Sequence, residues 1–410
     1  MPLFYDFKYH SAVLSTSRIS VSHTAENIAS VLNKILCQWD IKTKVTDNAP
    51  NMIKVCHCDS LRLKHLPCFA HTLNLVVQDA LKQKECSSVF KKCKEIVTYV
   101  KQSNHASENL RKQQREMNKP ELKLKNEVPT RWNSALYMMK RLLEVHDPLI
   151  ITLSNTTNAK APHSLTADDV LILREVTKLL DPFEVATRKL SGEYITVSIV
   201  IPIAFEVYNE VIKVEVNIET AKGMKKTLIE GVKLRLFPYE ERTTCRLATL
   251  LDPRLEKEAF QSNENCKAAV TILQNELPSH VKNIHHCSES GLNETDAEDT
   301  KKREEDGSIQ FSFMEDRLRE KKRTRVVNTI ILLRQYLERP NASSDPLIYW
   351  KLTGEEFLLI QRCALKYLCA PATSVPAERL FSKAGLVISD RRCSITPKHV
   401  DMLLFLNQNK

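Results

Sequence analysis

Between Cys56 and His71 the chain carries Cys56, His57, Cys58, His65, Cys68 and His71, three thiols and three imidazoles in one short stretch. Thiolate sulfur and imidazole nitrogen are ligands that zinc prefers. The spacing argues the other way, because CxC followed by CxxH is not a standard finger pattern. Helical periodicity over Phe69–Leu81 also makes Cys68 and His71 neighbours on successive turns. Buried cysteines and hydrogen-bonded histidines are the plainer reading, with bound zinc as its alternative. Asp47 is the second candidate. It ends the run Lys42–Asp47, KTKVTD, and a carboxylate at the carboxyl end of a strand sits where α/β proteins place their sites. The plainer reading there is an Asx turn into the next loop. No nucleophile–base arrangement is legible locally, since the sequence contains neither GxSxG nor HExxH.

The elements that must hold these residues follow from periodicity. Ser11–Ser17 and Lys42–Asp47 are strand candidates, the second broken by Asn48-Ala49-Pro50. Apolar residues at Ile28, Val31, Leu32, Ile35 and Leu36 put a helical stripe in His23–Trp39, and Leu73, Val76, Val77 and Leu81 do so in Phe69–Leu81. Strand–helix–strand–helix implies a sheet with helices packed on it. From about 131 to 337 the periodicity is mostly helical, clearest in Asp169–Leu190, where Pro182 is expected to kink the helix. Loops are expected at Asn155–His163 and in the acidic stretch Ser288–Ser308. Near the C-terminus, helices are expected over Glu355–Leu368, from Pro376 to a stop at Gly385, and from Thr396-Pro397 onward.

Composition narrows the function classes. Only 7 of the 410 residues are glycine, against a usual share of about 7%. The closest two, Gly223 and Gly231, are eight apart, so neither GxGxxG nor GxxxxGK can be written anywhere in the chain. Rossmann dinucleotide enzymes, P-loop NTPases and protein kinases are thereby disfavoured. The net charge is +10, and Leu81–Val145 holds 15 Lys/Arg against 7 Asp/Glu. That stretch reads either as a solvated helix face or as a surface for nucleic acid. Arg317–Arg325 adds a basic cluster that reads as a nuclear-import signal or an exposed helix face. The 12 cysteines show no CxxC and no regular framework, so reduced thiols and a cytosolic or nuclear home are expected. The longest apolar run, Val197–Tyr208, is too short to span a bilayer.

Six blocks, in order, carry a resemblance. VTDNAPNM (Val45–Met52), LPCFAHTLNLVVQDAL (Leu66–Leu81), VPTRWNSALYMMKRLL (Val128–Leu143), LLDPFEVATRKLSGEY (Leu179–Tyr194), ATLLDPRLEKEAF (Ala248–Phe260) and ATSVPAERLFSKAGLVISDRR (Ala372–Arg392) are similar to conserved blocks of hAT-superfamily DNA transposases. The chain most resembles the domesticated vertebrate members of zinc-finger BED type.

The resemblance implies an α/β plus all-α fold: a ribonuclease-H-like core split by a large helical insertion, then a C-terminal dimerisation region that returns to the core. The expected boundaries are 1–135 for a truncated core, 136–334 for the insertion and 335–410 for the dimerisation region. The family's chemistry uses an Asp-Asp-Glu triad holding two Mg²⁺ ions about 4 Å apart. By resemblance Asp47 is the second Asp and Glu378 the Glu, which would bring these relict catalytic and metal-ligating carboxylates together. Cys68 and His71 match a CxxH element beside the site. Arg131 and Trp132 match an Arg-Trp pair that grips phosphate and stacks on an unpaired base. The first Asp, its strand and a BED finger are not found upstream of Asp47, so the expectation is no enzymatic activity and no certain cofactor, with Mg²⁺ at most at the relict site.

The last 70 residues carry two apolar stripes, Leu380, Phe381 and Ala384, then Val400, Leu403, Leu404 and Phe405. A segment so short cannot bury both against itself. A homodimer or larger homo-oligomer is therefore expected, with the final helix as its interface. The expected function is a transposase-derived nuclear protein that dimerises and binds DNA as a transcriptional or chromatin regulator, with no membrane and no small-molecule substrate. The alternatives are a fragment of an active hAT-type transposase and an interaction module without DNA affinity.

Overall fold

The computed structural model describes residues 2–5, 7–11, 22, 24–38, 43–47, 49–57, 64–129, 131–155, 161–192, 194–289, 329–387 and 396–409. Those residues are mostly helical. β1 (Pro2–Tyr5) and β2 (Lys8–Ser11) pair antiparallel, and Phe7 turns between them at φ 55°. β3 (Thr43–Thr46) and β4 (Lys64–Pro67) pair parallel, with Val45 opposite Leu66. The broad sheet that the strand–helix alternation suggested is thus two separate pairs among the described residues. Of the first strand candidate only Ser11 is described, and it closes β2.

α1 (Ala25–Gln38) and α2 (Pro50–His57) make a small cluster of their own around Ala25, Ala29 and Val55. Pro50 opens α2, where its fixed φ suits the first turn and its missing N–H costs nothing. Most of the other buried apolar residues pack on one core, which runs from Leu66 and Phe69 to Ala372. α6 (Trp132–Glu144) contributes Trp132, Leu136, Met138, Met139 and Leu142 to it.

α3 (Phe69–Leu81), the helix that carries the site, buries Phe69, Leu73, Val76, Val77 and Ala80 on one face. α10 (Glu219–Arg235) lies against that face so closely that a Cβ on Gly231 would stand 3.0 Å from Val76 Cγ1. A side chain there would have to push Val76 aside by a few tenths of an ångström, a matter of contact and not of backbone angle. α4 (Lys84–Gln102) and α5 (Asn104–Glu116) follow, then α6, α7 (His146–Ser154) and the long α8 (Ala167–Leu190). Thr166 and Asp169 cap α8 reciprocally, Thr166 N donating at 2.9 Å and Asp169 N at 3.1 Å. Asp169 also accepts from Lys92 at 2.9 Å, tying α4 to α8. Pro182 sits inside α8 without ending it.

α9 (Val200–Lys213), α11 (Thr243–Leu250) and α12 (Asn263–Glu289) complete the middle. The DPR turn after α11 is a hub. Asp252 is fully buried and is held by Ser198 Oγ at 2.7 Å and by both Arg254 Nε and NH2 at 2.9 and 2.7 Å. The helical residues 329–337 (α13) and α14 (Pro346–Thr353) dock on it. Tyr336 donates to Leu250 O at 3.2 Å and Trp350 Nε1 to Leu251 O at 2.9 Å. α15 (Leu358–Leu368) follows a turn over 354–357 and starts three residues later than the periodicity suggested. α16 (Val375–Val387) runs through Gly385 instead of stopping there, and α17 (Pro397–Gln408) begins where Thr396-Pro397 predicts. The acidic loop from 290 onward and the basic cluster Arg317–Arg325 lie outside the described residues. Among the described residues no helix is long and apolar enough to cross a membrane.

Candidate functional site

The segments that carry Asp47, Cys68 and Glu378 are hydrogen-bonded to one another at the carboxyl ends of β3 and β4. Cys68 is the pivot. It is 1% exposed, and as the residue just before α3 it gives its amide to Thr46 O at 2.7 Å. Its sulfur accepts the Ser374 amide at 3.2 Å. Phe69 N donates to Ala372 O at 3.1 Å. On its other side, the returning segment meets 195–197 through Val197 N to Ala370 O at 2.9 Å and Ala372 N to Ile195 O at 3.0 Å. The stretch 370–374 is therefore stitched between two distant pieces of backbone, which fixes the start of α16.

That fixes Glu378. Its amide reaches Ser374 O at 3.1 Å, and its Oε1 accepts from Ser374 Oγ at 3.0 Å. Arg379, one residue on, gives NH2 to Ser191 O at 2.7 Å, where a cation also meets the negative end of α8. Asp47 follows directly on Thr46, whose Oγ1 donates to Asp47 O at 2.9 Å and lies 2.9 Å from His65 Nε2. Asp47 is half-buried and Glu378 exposed. The two elements that bear them are joined through one residue, Cys68, by its amide on one side and its sulfur on the other.

A second support comes from the middle of the chain. Tyr239 is buried, donates to Pro67 O at 3.0 Å and meets Thr72 Oγ1 at 2.8 Å. Its ring stands edge-on to Phe69, centroids 5.0 Å apart. Burial pushes its phenol well above the usual range, so the proton that holds β4 in place stays on. Neither Tyr239 nor Ser374 was legible as a site residue. Ser374 leaves a trace, a hydroxyl one turn before Glu378, whereas nothing in the sequence around Tyr239 pairs it with residue 67.

Two-metal chemistry needs three carboxylates around ions about 4 Å apart. Among the described residues no group of three or more His, Cys, Asp and Glu is placed to hold a metal ion. The pair Asp47 and Glu378, one of them exposed and already hydrogen-bonded to Ser374, does not fit a two-ion centre. Among the described residues the Cys/His stretch does not converge either. Cys68 is committed to Ser374 and His65 to Thr46; His71 lies in the first turn of α3; Cys58 is outside the described residues.

The Arg-Trp pair separates into two environments. Arg131 is exposed at the N-terminus of α6. Trp132 is 5% exposed and packs edge-on against Phe183, centroids 6.5 Å apart. The stacking role expected of Trp132 needs a free ring face, and the core covers it. Of the dimerisation residues, Phe381, Leu403 and Phe405 are 67%, 45% and 43% exposed, and Leu380 and Val400 are half-buried. Leu404 is only 4% exposed, so it packs within its own chain and not at a partner surface.

Two stretches of the chain match known families. Residues 66–179 match the ZBED1 RNase-like helical domain, and residues 332–410 match the hAT family C-terminal dimerisation region. The chain is 27% identical to human zinc finger BED domain-containing protein 4 over 98% of its own length and 34% of that protein's. It is 22% identical to human zinc finger BED domain-containing protein 6, over 89% of this chain and 39% of that one. A Zea mays protein named for AC transposase is 22% identical over 97% of this chain and 52% of its own. The chain thus spans about a third to a half of the length of these relatives. With the dimerisation-region match at one end and BED-type relatives along nearly all of it, the chain resembles hAT-transposase-like proteins of the zinc-finger BED type.

Proposed function

We infer that this chain forms the dimerising body of a transposase-derived nuclear protein that holds DNA without cutting it and so acts as a transcriptional or chromatin regulator. The observation that carries the reading is the outer face of α17. Met402, Leu403, Phe405 and Leu406 stand 43–62% exposed within the stretch that matches the hAT dimerisation region, with Phe381 of α16 also uncovered. An apolar surface of that size in water asks for a partner, and a second copy of the same helix supplies one. DNA affinity is supported by charge. Of the 15 Lys/Arg in Leu81–Val145, nine form ion pairs within the chain, and the other six, Lys84, Lys101, Arg111, Lys123, Lys125 and Arg131, are exposed.

The test is light scattering with a DNA titration. The chain is expected to be a dimer or larger at micromolar concentration, and Leu403→Asp with Phe405→Asp to make it monomeric. Binding to duplex DNA is expected to weaken steeply with salt. A monomeric wild-type chain sinks the dimer, and salt-independent or absent binding sinks the DNA reading in favour of a pure interaction module. One observation favours a second reading, a segment of an active transposase: Cys68 joins the strand end of Asp47 to the helix of Glu378. Nicking of duplex DNA with Mg²⁺ or Mn²⁺ that Asp47→Ala abolishes would decide for it.

A further inference from the structure

With Trp132 in the core, the exposed aromatic of this region is Tyr137, 36% exposed in the middle of the outward face of α6. Its hydroxyl donates to Glu184 Oε1 at 2.9 Å, and Glu184 is itself held by Arg188 at 3.0 Å. The ring is therefore anchored at its far edge. The segment before α6 runs back alongside the helix: Arg141 NH1 reaches Lys123 O at 2.7 Å, and Val128 N meets Ser134 Oγ at 2.7 Å. In this register Leu124 points into the core while Lys123 and Lys125 face solvent, and Lys125 Nζ lies 5.2 Å above the Tyr137 ring. The acids of the same face are already answered. Glu144 pairs with Arg141, Asp181 with Lys140 and Glu184 with Arg188. The charge left over belongs to three exposed cations, Lys125 over the ring, Lys123 two residues before it and Arg131 at the N-terminus of α6.

We propose that Tyr137 is a platform on which an unpaired DNA base stacks, with Lys123, Lys125 and Arg131 holding the phosphates beside it. The proposal rests on the DNA-holding function inferred above and narrows it to a single strand. Stacking accepts any base, because every base has a π face. A ring held at its hydroxyl has little freedom left to lose on binding. Lys125 now occupies the ring face by a cation–π contact. An arriving base takes that place, and the ammonium moves to the adjoining phosphate. Bases inside a duplex are already stacked and gain nothing from the ring, so only the cations act on duplex DNA.

The test is fluorescence anisotropy of the 410-residue chain with labelled oligo(dT) and with a duplex of equal length at one salt concentration. Tyr137→Ala is expected to weaken oligo(dT) binding about tenfold, the loss of one stacked base, and to leave duplex affinity within about twofold. Tyr137→Phe, which keeps the ring and loses the Glu184 hydrogen bond, is expected to bind oligo(dT) within about threefold of wild type. Matched thermal midpoints keep a folding defect from passing as lost contact. Equal oligo(dT) binding by wild type and Tyr137→Ala overturns the platform, and so does an equal loss on both probes. If duplex is bound and oligo(dT) is not, the platform falls alone; if neither probe binds, the DNA-holding function falls with it.

Discussion

Ser374 donates its backbone amide to the sulfur of Cys68 at 3.2 Å, across 306 positions of chain. The same cysteine donates its own amide to Thr46, so one buried residue fixes both the strand end of Asp47 and the helix of Glu378. Cys68→Ala removes the acceptor but little volume. The expected cost is about 1 kcal/mol, that of one hydrogen bond. Hydrogen exchange at Ser374 and Glu378 is expected to speed up while α8 stays protected. Unchanged exchange at Ser374 would deny the sulfur its role.

Arg131 and Trp132 are adjacent in sequence and opposite in environment, so their substitutions are expected to separate. Trp132→Ala empties a core position and is expected to destabilise by about 3–5 kcal/mol. Arg131→Ala is expected to leave stability within about 0.5 kcal/mol. It is expected to flatten the slope of log affinity for DNA against log salt by about 1. Denaturant unfolding and a salt series on both variants check this. A Trp132→Ala chain as stable as wild type would return the indole to the surface.

The same contrast holds on α17. Leu404→Ala is expected to cost about 2–5 kcal/mol of folding stability, as buried leucines do. Leu403→Ala, at a position 45% exposed, is expected to weaken the dimer and to change monomer unfolding by less than about 0.5 kcal/mol. Unfolding measured well below the dimer dissociation constant, beside sedimentation at higher concentration, tells the two apart. Equal effects on monomer unfolding would mean that the helix faces are assigned wrongly.

Glu256 gives the chain a pH dependence. It is 2% exposed at φ 45°, and burial pushes its carboxyl from the ordinary 4.5 up to about 7, with Glu258 adding repulsion. Between these values the folded chain holds more proton than the unfolded chain. This group's contribution is therefore full below about pH 4.5, falls as pH rises toward about 7, and stays lost above it. The steepest slope is about 1.4 kcal/mol per pH unit. Glu256→Gln, neutral throughout, is expected to be more stable than wild type near pH 8 and close to it near pH 4.5. Parallel stability profiles for the two chains would contradict the burial cost.

The helices were largely legible because an apolar stripe survives any packing arrangement. Phe69–Leu81 begins and ends where its leucines and valines predict, and Thr166 with Asp169 gives α8 a start that chemistry alone marks. Strand pairing was not legible. β4 holds His65 and Pro67 beside Leu66, with no alternation to betray it, and its partner lies beyond α2. Gly385 misled because a glycine ends a helix only where the chain then turns, and α16 runs two residues past it. Within the site, Asp47, Cys68 and Glu378 stood out by type and by family likeness. The groups that position them, Tyr239 and Ser374, make contacts set by tertiary packing, which local spacing does not encode.

The seam at 370–374 has a consequence for how the molecule is made. Its partners, Cys68, Phe69, Ile195 and Val197, leave the ribosome long before it does. At about 5–20 residues per second, the 306 residues separating Cys68 from Ser374 take about 15–60 s to synthesise. The Cys68 thiol waits throughout that interval, and the 195–197 backbone through its later part, without the closing segment. α3 can collapse early onto α8 and α10, but the site end of the molecule is sealed last. A ribosome stalled before residue 370 would therefore hold a chain with a formed helical body and an open seam, the state most exposed to thiol oxidation and to capture by chaperones.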